Sequence, residues 1–301
     1  MRAIPSGRLA VAVIAALVVV AVVISGVLLG GSDSKPTTAD PVKKSNQVKQ
    51  PKYVALGSSF ASGVGEGKPV GFCGQTQDNY PRQVAQELDM KLVDASCAGA
   101  VIADVLNPSV KRPKRVAQIE SVTPDTSLVT LTIGGNDLSY IGRLVTSVCA
   151  NLAAGLYLPP LGKYCQTANW PTPIPDPTRY ASVESSLVQT VEAIRARAPK
   201  ARVVLVNYLP VVSMTEPPCE GLPLEPWQVI ETHTVATELA AATARAAKAT
   251  NAQYVDTQAL GAAHTTCSPK PWIISYGKSM PFHPNAEGKA AVADAVVGAL
   301  R

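Results

Sequence analysis

Short apolar runs rich in β-branched residues recur along the chain after residue 52. Because their hydrophobicity is nearly continuous, they predict strands that are covered on both faces. The runs are YVAL (53–56), KLVDA (91–95), SLVTLTI (127–133), ARVVLVNY (201–208) and QYVDT (253–257). Helical patterns separate them: one opened by Asp78 as the expected N-cap, one after Pro177 through Arg197, one over 225–249 and one from Asn285. Strands that alternate with helices predict an α/β fold with a parallel sheet.

The N-terminal part of the chain has a different pattern. Residues 9–29 are apolar except for one serine and one glycine, and two arginines precede them. Such a run is about as long as the hydrocarbon core of a bilayer is thick. Residues 31–51 are rich in Ser, Thr, Pro and Lys, a composition typical of a flexible linker. We therefore predict a transmembrane signal anchor or signal peptide at 1–30, a linker at 31–51 and a folded domain at 52–301.

The arginines before the apolar run favour an N-terminus in the cytoplasm, which sends the rest of the chain across the membrane. The run has no clear small-x-small cleavage site, so we favour an uncleaved anchor over a cleaved signal peptide. The expected location is the cell membrane with an extracytoplasmic domain, or the medium if the segment is cleaved.

The net charge of +5 arises before the folded domain. Of 27 basic and 22 acidic residues, seven and two lie in residues 1–52, which leaves 20 of each sign afterwards. The one basic cluster, KRPKR at 111–115, is typical of a solvated loop. A formally neutral domain gives no support for a nucleic-acid partner.

All six cysteines follow the linker, in the part of the chain that we expect to be exported. Disulfides persist in such compartments, and three of them are the expected state. No pair of cysteines has the spacing of a zinc knuckle, so we predict neither a metal nor a cofactor.

Three glycine-rich turns follow the first three predicted strands. They are GSSFASG, SCAGA (96–100) and GGND (134–137). In an open parallel sheet the functional crevice lies beyond the carboxyl ends of the strands, where the strand order reverses. Glycines there let backbone N–H groups approach a ligand, and the asparagine side chain adds a donor, as in an oxyanion hole.

A serine nucleophile needs a base, and the sequence offers three histidines. His233 lies within a predicted helix, and His264 lies in a loop beside Cys267. His283 stands in PFHPNAEG, just before the helix that Asn285 would cap. This position makes His283 the favoured base.

The blocks ALGSSFASG, CAGA, GGND and HPNAEG, in that order, resemble the four motifs of SGNH (GDSL-type) hydrolases. The resemblance implies a flavodoxin-like three-layer α/β/α sandwich with a five-stranded parallel sheet. It implies Ser59 as nucleophile, with an oxyanion hole built from the backbone N–H groups of Ser59 and Gly99 and the side chain of Asn136. Ser58 stands where the family usually has Asp.

Met280 stands where family members with a Ser-His-Asp triad carry the Asp, three residues before His283. Some actinobacterial relatives work with a Ser-His dyad, in which a backbone carbonyl orients the imidazole. We therefore expect the carbonyl of Met280 to accept a hydrogen bond from Nδ1 of His283.

The cysteines and the stretch HTTCSPKPW resemble those of secreted actinobacterial esterases and lipases. This resemblance implies sequential disulfide pairing: Cys73 with Cys97, Cys149 with Cys165 and Cys219 with Cys267. From the residues alone, fifteen pairings are possible.

The leading function is therefore an extracytoplasmic serine esterase or lipase that acts on lipid or on acylated envelope glycan. The chain is expected to be a monomer, bound to the membrane through its N-terminal segment. Two alternatives stay open: an acyltransferase that uses the same Ser-His site, and a non-catalytic binding domain that keeps the fold.

Overall fold

The predicted parallel sheet is present in the computed structural model, which describes residues 50–110, 115–155, 174–217 and 219–301. The strands are β1 (Lys52–Gly57), β2 (Pro69–Val70), β3 (Gln75–Thr76), β4 (Lys91–Asp94), β5 (Thr126–Thr132), β6 (Arg202–Val206) and β7 (Gln253–Val255). Five of them form one sheet in the order β4-β1-β5-β6-β7, and every neighbouring pair is parallel. The short antiparallel pair of β2 and β3 lies outside this sheet.

Helices connect the strands and cover the sheet, which confirms the predicted α/β/α sandwich. The helices are α1 (Ser59–Ser62), α2 (Tyr80–Glu87), α3 (Ala103–Leu106), α4 (Tyr140–Gly155), α5 (Pro177–Arg197), α6 (Pro226–Thr250), α7 (Thr257–Leu260) and α8 (Ala286–Leu300), with a 3₁₀ turn at Gln118–Ser121. Helices α2 and α8 pack against each other, and α5 packs against α6.

The helix starts follow their capping residues. Asn285 caps α8 by accepting the N–H of Gly288, as predicted. The prediction that Asp78 caps α2 is wrong by one residue, because Asn79 accepts the N–H of Arg82 there. The Asp78 carboxylate is instead paired with the buried Lys289 ammonium group.

The reversal of strand order positions the candidate site. From β1 the chain moves outward to β4, then crosses back to β5 and continues to β6 and β7. The carboxyl ends of β1, β4 and β5 therefore meet at one edge of the sheet, where the three glycine-rich turns follow them. The hydrophobic core beneath this edge includes Tyr53, Leu56, Val129 and Leu131, all at most 1% exposed.

Two of the three predicted disulfides are present, Cys73–Cys97 and Cys219–Cys267. The pairing of Cys149 with Cys165 stays a prediction, because Cys165 lies outside the described residues.

The predicted anchor at 1–30 and nearly all of the predicted linker also lie outside the described residues. Within the described part of the chain, no helix has both the length and the apolar character needed to cross a bilayer.

Candidate active site

Ser59 is the first residue of α1 and directly follows the sharp turn at the end of β1. The turn requires glycine at position 57, where φ is +141° and a Cβ atom would lie 2.4 Å from the carbonyl oxygen of Thr132. The N–H of Ser58 donates to that same carbonyl at 2.9 Å. The side chain of Gln118 bonds both the N–H and the carbonyl of Gly57, at 2.8 and 3.0 Å. The turn is therefore fixed from the neighbouring strand and from the 3₁₀ turn.

The side chains of Ser59 and His283 meet although 224 residues separate them. Nε2 of His283 lies 2.9 Å from Oγ of Ser59. Both residues are largely buried, with 9% of Ser59 and 6% of His283 exposed. This distance lies within hydrogen-bonding reach, which a general base needs in order to take a proton from a hydroxyl.

Backbone carbonyls face the other ring nitrogen of His283. Nδ1 lies 3.2 Å from the carbonyl oxygen of Met280 and 3.0 Å from that of Pro281. Because carbonyl oxygens only accept, Nδ1 carries the proton and Nε2 of the neutral ring is the acceptor that faces Ser59. The sequence indicated the Met280 carbonyl but not the second carbonyl, of Pro281.

Burial lowers the pKa of His283 below its usual value of 6.5. The hydrogen bonds to the carbonyls of Pro281 and Met280 oppose this shift, whereas the positive charge of Lys289 adds to it. The imidazole is therefore neutral at neutral pH, as a proton acceptor must be.

Gly99 and Asn136 lie on adjacent turns beside β1. The N–H of Cys97 donates to the carbonyl of Gly57 at 2.9 Å, which fixes the turn after β4 against the end of β1. The Asn136 amide donates one N–H to the carbonyl of Ala100 at 2.8 Å and has a second N–H for another acceptor. Gly99 has a φ of +79°, which favours glycine, and its backbone is exposed. The geometry thus brings both predicted donors of an oxyanion hole to the edge that carries Ser59.

Asp137, next to Asn136, was not foreseen as a site residue. Both of its carboxylate oxygens accept the N–H of Ile102, each at 3.2 Å. Burial raises the pKa of Asp137 to about 6. The Asp137–Ile102 bonds and the Asn136–Ala100 bond together fix residues 100–102 against the turn after β5. The sequence signal was its place in GGND, which by itself indicates only a turn.

The other two histidines have different surroundings. The ring of His264 stacks on Trp272 with centroids 3.8 Å apart, and Nδ1 of His264 lies 2.8 Å from the carbonyl oxygen of Lys270. His233 is a half-buried residue of helix α6. Neither has a hydrogen bond to Ser59 within the described residues.

A cavity of about 530 Å³ opens beside the turn after β4. Gly99, Ala100, Cys97 and Gln118 line part of it, whereas Ser59 and His283 do not. Within the residues that the structure describes, no three His, Cys, Asp or Glu side chains are grouped to hold a metal ion.

Residues 55–291 match the model of the GDSL-like Lipase/Acylhydrolase family. The chain is 32% identical to Lipase 2 of Streptomyces coelicolor, over 82% of this chain and 85% of that relative. The crystal structure of an extracellular lipase from Streptomyces rimosus has a TM-score of 0.61 at 27% identity and covers 83% of this chain and 97% of its own. The crystal structure of phospholipase A1 from Streptomyces albidoflavus has a TM-score of 0.62 at 26% identity, with 83% and 98% covered.

Proposed function

The chain belongs to the GDSL-like lipase/acylhydrolase family, and we propose that it cleaves carboxylic esters through an acyl-enzyme formed on Ser59. The observation that carries this proposal is the 2.9 Å contact between Nε2 of His283 and Oγ of Ser59. A hydroxyl is a weak nucleophile by itself, and an adjacent neutral imidazole activates it by accepting its proton.

In the proposed acylation step, Oγ of Ser59 attacks the ester carbonyl carbon while its proton passes to Nε2 of His283. The negative charge on the carbonyl oxygen is stabilised by the N–H groups of Ser59 and Gly99 and by the Asn136 amide. The tetrahedral intermediate then breaks its bond to the alcohol, which leaves with the proton from His283. Water repeats the sequence on the acyl-serine and releases the acid.

The proposed orienting group for His283 is the main chain. The carbonyls of Met280 and Pro281 hold the protonated Nδ1, so the chain works as a Ser-His dyad. Carbonyl dipoles stabilise the imidazolium less than a carboxylate would, but they fix the ring orientation and the tautomer.

The proposed substrates are lipid esters outside the cytoplasm. The disulfides Cys73–Cys97 and Cys219–Cys267 support an oxidising compartment. The similar proteins named above are lipases and a phospholipase A1, one of them called extracellular, which favours lipid over acylated glycan. The apolar run at 9–29 adds the proposal of an uncleaved membrane anchor.

Substitution of the two adjacent serines tests the mechanism. We expect Ser59→Ala to lower kcat/KM for a p-nitrophenyl ester by at least about 10⁴-fold. Ser58→Ala, the matched control, should retain activity within about tenfold of wild type, because the Ser58 hydroxyl bonds Tyr208 and not the base His283. A phosphonate probe should label Ser59, as read by peptide mass spectrometry. Turnover by the Ser59 variant, or label on Ser58, would reject the assignment.

The substrate class is tested by giving the purified protein a phospholipid, a series of p-nitrophenyl esters from acetate to palmitate, and an acetylated glycan. We expect phospholipid and long acyl esters to have the highest kcat/KM, and the free acid to be the product even when an alcohol acceptor is added. Transfer of the acyl group to the alcohol would identify an acyltransferase, and a preference for the glycan would reject the lipid proposal.

The proposed anchor is tested by N-terminal sequencing of protein recovered from the membrane fraction and from the medium. Protein found in the membrane with residues 9–29 intact is the expected result. A mature chain that starts between residues 25 and 52 and is found in the medium would overturn it.

A further inference from the structure

Tyr208 follows β6 and spans the edge of the sheet to reach the turn after β1. Its hydroxyl lies 3.0 Å from Oγ of Ser58 and accepts the N–H of Gly135 at 3.1 Å. Strand β5 lies between β1 and β6, so one phenol connects the ends of three adjacent strands. Ser58 immediately precedes the proposed nucleophile, and Gly135 immediately precedes the proposed amide donor Asn136.

The surroundings of Tyr208 leave little freedom for its ring. A Cβ atom at position 135 would lie 2.9 Å from Cζ of the ring, so only glycine there admits the phenol at this distance. The ring of Phe60 packs edge-on against Tyr208, with centroids 4.6 Å apart. Phe60 in turn lies 5.4 Å from the imidazole of His283. The phenol is therefore packed within the same group of side chains as the Ser-His pair.

The hydroxyl of Tyr208 is neutral under ordinary conditions, because burial raises the pKa of Tyr208 to about 12. A neutral hydroxyl both donates and accepts, which lets it bond Ser58 and Gly135 at the same time. Ser58 is 1% exposed, and within the described residues its hydroxyl bonds only Tyr208. A buried hydroxyl without a hydrogen-bond partner would be destabilising. The Tyr208 hydroxyl supplies that partner for the Ser58 hydroxyl.

We propose that Tyr208 is a positioning residue, which holds the Ser59 turn and the Asn136 turn at a fixed separation through its bonds to Ser58 and Gly135. This inference rests on the proposed function. In an acyl transfer the attacking oxygen and the oxyanion donors must be correctly placed at the same moment. A link between the two turns stabilises that arrangement, and loss of the link lets either turn shift.

The test is Tyr208→Phe, which removes the hydroxyl and keeps the ring. The matched control is Tyr140→Phe: Tyr140 is 1% exposed, and its ring lies 6.2 Å from that of Tyr208, but its hydroxyl bonds neither Ser58 nor Gly135. Rates are expressed per active site, counted by the amount of phosphonate label bound at completion, so that a smaller folded fraction does not lower the measured kcat.

We expect Tyr208→Phe to lower kcat by about tenfold, since two hydrogen bonds are lost. The rate of phosphonate labelling should fall by the same factor, while KM changes by less than about twofold. The control should stay within about twofold of wild type in all three quantities. A role in folding alone would lower the thermal midpoint and the number of active sites but not kcat per site. Unchanged kcat per site in Tyr208→Phe, or a loss that appears only in KM, would overturn the inference.

Ser58→Ala breaks the same link from the other end. It should slow labelling several-fold, and adding Tyr208→Phe to it should cost less than the product of the two single effects. If Tyr208→Phe does not fold, an unchanged labelling rate in Ser58→Ala overturns the inference. A different result would reject the proposed function itself, namely turnover by the Ser59→Ala variant.

Discussion

The nucleophile and the base reach the candidate site from regions that are built differently. The turns after β1, β4 and β5 are extensions of the sheet, and backbone bonds join them directly: Ser58 to Thr132 and Cys97 to Gly57. His283 instead lies at the end of a long segment between α7 and α8 in which no strand of the sheet takes part. The geometry of the three turns is therefore set by the sheet. The position of the His283 segment depends instead on bonds to the loops around it.

The histidine segment is held by backbone bonds within it and by bonds to neighbouring loops. Ile274 exchanges two backbone bonds with the stretch that carries the base, donating to the His283 carbonyl and accepting from Phe282, each at 2.8 Å. Met280 and Phe282 both have positive φ, an uncommon conformation for such side chains that the surroundings must stabilise. The disulfide Cys219–Cys267 ties the segment to the loop before α6. Substitutions at the sheet edge should therefore change the rate of the reaction directly. Substitutions that break the bonds of the histidine segment should act by releasing His283 from its position.

The largest expected effect is that of His283→Ala. Loss of the base should lower kcat by about 10⁴-fold, because the Ser59 proton then has no acceptor. His264→Ala is the control and should retain turnover, since its ring contacts Trp272 and Lys270 instead. Steady-state kinetics on one ester decides the matter. An inactive but folded His264 variant would move the base role to that residue.

The next effect concerns the sheet edge. Asn136→Ala removes a proposed oxyanion donor and should lower kcat by about 10² to 10³-fold. KM should change much less, because the charge that the amide stabilises develops only in the transition state. A variant that raises KM alone would assign Asn136 to substrate binding.

Without the disulfide Cys219–Cys267, the histidine segment and the sheet should lose their structure at different temperatures. By loop entropy, loss of this disulfide should lower the free energy of unfolding by about 3 to 4 kcal/mol. In Cys219→Ser/Cys267→Ser, activity should disappear at a lower temperature than the helical signal in circular dichroism, because the histidine segment detaches first. The comparison variant is Cys73→Ser/Cys97→Ser, where the bond lies beside the sheet and the two losses should coincide. Coinciding losses in both variants would show that the histidine segment does not detach before the sheet unfolds.

The smallest effect should follow from Met280→Ala. The carbonyl that faces Nδ1 belongs to the main chain, and Met280 is 41% exposed, so kcat should change by less than about threefold. A loss of about 10³-fold in kcat would show that the side chain itself acts in the reaction.

The sequence predicted best what depends on local composition. Continuous apolar runs identified all five strands of the sheet, because a strand buried on both faces has no polar positions to interrupt it. The run at 253–257 was too long by two residues, since Asp256 already caps α7 by accepting the N–H of Ala259. Helix α4 was missed: Gly142 and its β-branched residues lower helix propensity, and its buried Leu144 and Val148 are explained only by tertiary packing.

Contacts between distant positions were the part that local patterns could not predict. The order of the four motif blocks indicated Ser59, Gly99, Asn136 and His283 as site residues. Nothing near Ser58 in the sequence points to Tyr208, which is 150 residues away. The pairing of Lys289 with Asp78, which displaced the expected helix cap, joins residues 211 apart and is likewise invisible to a local pattern.

The two carbonyls that face Nδ1 of His283 also affect the number of ionisations in the pH dependence of the rate. A carboxylate in that place would titrate, and its protonation would add a second ionisation to the acid side of the rate profile; carbonyl oxygens do not titrate. Titration of His283 should therefore contribute a slope of one proton to the fall in kcat/KM with acid, with a midpoint below the usual 6.5. The unfolded chain takes up this proton at a higher pH than the folded one, so the same ionisation makes folding less favourable as pH falls below about 6.5. In mildly acid surroundings the folded domain therefore loses the contribution of His283 to its stability before the base takes up its proton.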